Sequence, residues 1–142
     1  MPRWASTIYR GNQAAWDEAK SQCWAALYEW AVRREAHPYT DLSQRVSAIH
    51  WPDGPHTDEG SQIGFLLGQV SLEELDRVEE RPIISALVID KSSNMPSHGF
   101  WDLCEQLGIH IPPSTTARER FWLQELDACF ECYGSRRPKE GA

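Results

Sequence analysis

Residues 81–103 read RPIISALVIDKSSNMPSHGFWDL, a stretch in which a buried strand, a turn and a helix start follow one another. Ile83, Ile84, Ala86, Leu87, Val88 and Ile89 form an aliphatic run broken only by Ser85. Such a run reads as a strand covered on both faces rather than one. Pro82 fits at its entrance, where a missing N–H is tolerated, and Asp90-Lys91-Ser92-Ser93-Asn94 carries the polar turn chemistry that releases the chain from a sheet. Beyond Pro96-Ser97-His98-Gly99, Phe100 to Leu107 reads as a short helix stopped by Gly108. Trp4 to Arg10 alternates loosely and is the expected edge-strand partner of the run.

Working outward, the helical signals dominate. Asn12 can cap a helix reaching to about Glu35, with Trp16, Ala19, Cys23, Ala26, Leu27 and Trp30 at helical spacing. Trp24, Tyr28 and Val32 form a second stripe on the same helix, expected to be exposed and to offer a docking surface. Tyr39 to Val46 reads as a short helix following Pro38, and 50–60, HWPDGPHTDEG, as a surface loop. From Ser61 a helix carries Ile63, Leu66, Leu67 and Val70. A second one is expected at Ser71, where Ser71 and Glu74 have capping-box spacing and Leu72, Leu75 and Val78 face inward. Pro112-Pro113 predicts an extended linker. Thr116 with Glu119 then caps a last helix, whose apolar face is Phe121, Trp122, Leu126, Cys129, Phe130 and Tyr133 and which Gly134 stops.

The fold expected is therefore α+β and mostly helical: a single domain over 1–142 with a helix-turn-helix-like core and a small β element. Its ordered part is 11–134 and 135–142 is a flexible tail. With 142 residues and a net charge of -7, broad phosphate-driven nucleic-acid binding is disfavoured, and Arg33-Arg34 and Arg136-Arg137-Pro138-Lys139 are only local basic groups. No apolar run matches a membrane span and the N-terminus lacks a signal-peptide core, so a cytoplasmic location is expected, with the four cysteines reduced. Seven tryptophans are many for this length and imply an aromatic core or exposed interface anchors.

Tyr39-Thr40-Asp41-Leu42, followed by Ile63-Gly64, Leu67 and the 83–89 run, resembles the winged-helix domain of alkyltransferase-like DNA proteins. That family's helix carries Tyr-Gly-Asp-Ile ahead of a recognition helix with an Arg and a Val-Gly pair. Ser61 stands where the family's base-displacing Arg would be and no Pro-Cys-His-Arg follows, so the resemblance implies a winged-helix core without alkyl repair. Residues 81–100 are also similar to a stretch of uncharacterised small bacterial and phage proteins. As a DNA binder the chain would use Tyr39, Arg45, Gln62 and Gln69, the glutamines being suited to base edges.

Cys129 and Cys132 have C-x-x-C spacing, with His98, Cys104 and His110 as conceivable further ligands, but the pair falls in a helical pattern and no metal or other cofactor is expected. Ser97, His98 and Asp90 lack a nucleophile elbow, and Asp90-Lys91 lacks the spacing of a nuclease strand, so no catalytic residue is assigned. The reading is a non-catalytic protein-binding or regulatory module in a mobile-element or anti-phage (defence or anti-defence) setting. It would engage a protein partner or a second copy of itself, without a membrane, through Trp24, Tyr28, Val32, Trp51, Asp53, Asp58 and Glu59. A winged-helix DNA-binding protein is the alternative.

Overall fold

The computed structural model describes residues 13–48, 62–77, 82–96 and 98–135. In chain order it contains α1 (Gln13–Arg33), β1 (His37–Pro38), α2 (Tyr39–Arg45), α3 (Gln62–Arg77), a 3-10 turn (Ile84–Leu87), β2 (Val88–Ile89), α4 (His98–Gln106) and α5 (Thr115–Ser135). The protein is mostly helical α+β with a two-stranded β element. The expected strand at Trp4 to Arg10, the cap at Asn12, Val78, the 50–60 loop and 136–142 lie outside the described residues.

α1 is the central element, packing most extensively on α5 and then on α3. Its buried residues Trp16, Ala19, Cys23, Ala26, Leu27 and Trp30 are those the 3.6-residue period selects, joined by Ala31. Arg34, with φ of 58°, ends it. The Arg34 N–H donates to the Ala31 carbonyl (3.1 Å) and the Glu35 N–H to the Trp30 carbonyl (2.9 Å), the bond pair of a Schellman cap that normally favours glycine. The Arg34 side chain pairs with Glu131 and Asp127 of α5 and lies over the Phe130 ring. α4 closes the same way with the residue the sequence leads one to expect, Gly108 at φ 79°.

The 83–89 run is buried from Ile83 to Val88 as expected, but only Val88 and Ile89 form a strand. It pairs in parallel with β1, His37 opposite Val88 and Pro38 opposite Ile89. Ile84 to Leu87 instead coil into a 3-10 turn. Buried backbone must find partners, and α5 supplies them from three side chains on its inward face. Glu125 Oε1 accepts from the Ile83 N–H (2.9 Å), Trp122 Nε1–H donates to the Ala86 carbonyl (2.9 Å) and Cys129 Sγ to the Ile83 carbonyl (3.4 Å). An aliphatic run records burial, and here helix side chains replace the neighbouring strands that the pattern implied. The following turn stands as read: Asp90 bridges Met95, and Asp90 Oδ1 accepts from the Ser92 N–H at 2.9 Å.

Two caps move. α3 is one helix through Ser71, so Ser71 and Glu74 are interior rather than a capping box. α5 starts at Thr115, and its cap is Ser114, whose Oγ accepts from the Ala117 N–H (3.1 Å). Ser114 is the first capping residue after Pro112-Pro113 and takes the role ahead of Thr116. The helix runs one residue past Gly134.

Candidate functional site

The contact between α1 and α3 is a line of polar pairs. Trp16, Lys20, Trp24 and Tyr28 recur every fourth residue and therefore fall along one side of α1. Trp16 Nε1–H donates to Gln69 Oε1 (2.8 Å), and Lys20 Nζ to Glu73 Oε2 (2.9 Å). Trp24 Nε1–H (2.9 Å) and the Tyr28 hydroxyl (2.8 Å) both donate to Glu74 Oε1. From α5 the Tyr133 hydroxyl donates to Glu74 Oε2 at 3.0 Å. Its ring centroid lies 5.3 Å from that of Tyr28.

Glu74 is fully buried. The reason is periodicity: Ile63, Leu66, Leu67 and Val70 set the inward face of α3, and one more turn along it reaches Ser71 and Glu74. A carboxyl group in that position is tolerable only when its oxygens are satisfied, and three neutral donors from two other helices converge on it. Glu74 thus ties α1, α3 and α5 together at one point. Leu72 and Leu75, expected inward, are only half-buried beside it.

Trp24 and Tyr28, read from the sequence as an exposed stripe, are half-buried and packed against the core. The correction has a physical cause: both rings carry a polar group, and Glu74 gives those groups a buried acceptor. Each ring keeps part of its surface in solvent while its orientation is held from beneath. Val32, one turn further, is half-buried too. Trp51, Asp53, Asp58 and Glu59 lie outside the described residues.

A second cluster forms at the end of α1. The His37 ring stacks on Trp30 with centroids 4.3 Å apart. Its Nδ1 is 2.8 Å from Asp41 Oδ2 and its Nε2 is 2.9 Å from Glu35 Oε1. Burial acts to lower the His37 pKa, but the hydrogen bonds to Glu35 and Asp41 outweigh it and raise the pKa above the ordinary value. The carboxylates hold opposite edges of the ring, a clasp rather than a metal geometry. Arg45 lies over Trp30 and pairs with Glu29 at 2.7 Å, and that hydrogen bond holds the Glu29 carboxyl below its usual range.

The residues suited to reading DNA are not gathered on a free surface. Tyr39 is 3% exposed, Gln69 is bonded by Trp16, and Arg45 is engaged with Glu29 and Trp30. Gln62 begins α3, and its side chain is not among those described. Among the described residues no group of three or more His, Cys, Asp or Glu side chains could hold a metal ion. Burial raises the thiol of Cys104 to about 12 and pushes those of Cys23 and Cys129 well up, so all three behave as small apolar side chains. No helix among the described residues is long and apolar enough to cross a membrane.

No family model, curated protein or solved structure matches the chain. Its own geometry is therefore the basis for reading its function. The feature that sequence reasoning missed, Glu74, was within reach: extending the α3 period by one turn puts it inside, and an acid inside requires donors.

Proposed function

We propose that the protein is a non-catalytic, regulatory binding module that docks on a basic protein surface through the aromatic seam of α1. The observation that carries this is the pinning of Trp24 and Tyr28 by Glu74. Half-exposed aromatic rings are effective interface anchors, and rings already fixed lose little conformational freedom on binding. The chain's net charge of -7 suits a positively charged partner and would steer the encounter. Asp17 and Glu18 on α1 and Asp76 on α3 are exposed acids on the helices that carry the seam.

Capture from a nuclease-treated lysate tests this when wild type is run beside two variants. Val32→Lys adds a positive charge to the seam without touching the Glu74 bonds and should abolish retention of a basic partner by like-charge repulsion, with near-ultraviolet circular dichroism unchanged. Trp24→Phe keeps a ring but loses the N–H, and should weaken retention. Retention equal in all three would sink the reading. Self-association that Val32→Lys disrupts would replace the basic partner by a second copy of the chain. Nucleic acid recovered only without nuclease, and lost in Arg45→Ala, would move the reading to a winged-helix DNA-binding protein.

A further inference from the structure

Away from the Glu74 seam, α2, α3, α4 and the 3-10 turn enclose a cavity of about 20 Å³. Three glycines line it: Gly64 and Gly68, one turn apart on α3, and Gly99 in the first turn of α4. All three are half-buried, so the glycine side meets solvent. Leu67, Phe100 and Leu103 supply apolar wall, and Tyr39 and Ser85 complete it.

Two features of this wall are unfavourable for a purely structural void. Glycine inside a helix costs about 1 kcal/mol relative to alanine, a cost that applies at Gly68 in the body of α3. Ser85 is 5% exposed, and its hydroxyl has no hydrogen-bond partner among the described residues. A stranded buried hydroxyl costs about 1–3 kcal/mol. A single water is a poor remedy, since it needs two to four polar partners and the described walls are mainly apolar. Bare glycine backbone beside an unpartnered hydroxyl is instead what a bound molecule requires for close approach and one directional bond.

We infer that this cavity is a binding site for a slender, uncharged molecule, or the uncharged end of a larger one, whose hydroxyl, carbonyl or amide group bonds Ser85 Oγ. The absence of charge follows from the wall: none of its described residues is ionised at neutral pH, and an ion brought there would lose hydration without a counter-charge. Slenderness follows from the volume, which admits a few heavy atoms past the glycine rim.

The test is a titration of the full chain, followed in ¹H–¹⁵N correlation spectra, with 2-propanol and acetamide as neutral probes and acetate and methylammonium as charged controls. Saturable shifts centred on residues 64–68, 85 and 99–103, with the neutral probes alone, are expected. Ser85→Ala should weaken that binding about five- to tenfold, the loss of one hydrogen bond. Shifts that stay linear and scattered, equal responses to the charged controls, or an unchanged affinity in Ser85→Ala would each overturn the inference.

Discussion

Glu74 on α3 and Ser85 on the 3-10 turn against which α3 packs are both buried polar side chains, and the fold treats them in opposite ways. Glu74 receives hydrogen bonds from Trp24, Tyr28 and Tyr133, while the Ser85 hydroxyl receives none among the described residues. The first arrangement turns a costly buried carboxyl group into a rigid junction of three helices. The second leaves a polar group beside open glycine backbone, where satisfaction has to come from outside the described chain. Internal satisfaction builds scaffold and fixes the aromatic seam; at Ser85 incomplete satisfaction coincides with a cavity, which is the combination behind the proposed site.

The contrast is broken most severely at Glu74. Glu74→Ala strands three donors at a helix junction and should cost about 3 kcal/mol or more in urea unfolding, enough to threaten folding, whereas Glu74→Gln, which keeps an acceptor and the volume, should cost clearly less. Next in size is Tyr133→Phe, which removes one hydroxyl from Glu74 and should cost about 1 kcal/mol in the same measurement. The comparison is sharpened by Ser85→Ala and by Ser71→Ala on α3, whose buried hydroxyl is also unpartnered among the described residues. Both should be neutral or stabilising, by up to about 1 kcal/mol, because nothing is broken when an unsatisfied group is removed. A loss at Ser85 as large as that of Tyr133→Phe would erase the distinction between the two sites.

The smallest effect concerns His37, whose satisfaction depends on protonation. Its pKa is raised in the folded state, so its stabilising contribution is fully present below the unfolded value of about 6.5 and is lost as pH rises through the higher folded value. For a pair of partly exposed partners this amounts to a few tenths to about 1 kcal/mol. The stability difference between wild type and His37→Gln, measured by urea unfolding at acidic and alkaline pH, should shrink as pH rises. A difference that grows instead would contradict the clasp by Glu35 and Asp41.

Much of this architecture is legible in the chain. α1, its buried face and the apolar face of α5 follow from helical period, and the Asp90–Asn94 turn and the Gly108 cap follow from local backbone chemistry, because these signals act over a few residues. The burial of 83–88 is equally plain. Its conformation is not, since an aliphatic run states only that water is excluded, and whether strands or helix side chains satisfy its backbone depends on Trp122, Glu125 and Cys129 arriving from some forty residues away. Arg34 shows the same limit: nothing local says that an arginine takes the glycine position, or that Glu131, Asp127 and Phe130 of α5 will lie against it.

The candidate sites divide along the same line. Sequence alone determined that Trp24, Tyr28 and Val32 share a stripe on α1 and that the protein is acidic. Only the tertiary structure decided that Glu74 lies beneath two of those rings and that three glycines and a serine hydroxyl without a partner among the described residues meet around one cavity. The reason is physical: spacing along a helix assigns a residue to a face, but the partners its polar atoms find are set by which other elements pack against that face, and those come from distant parts of the chain.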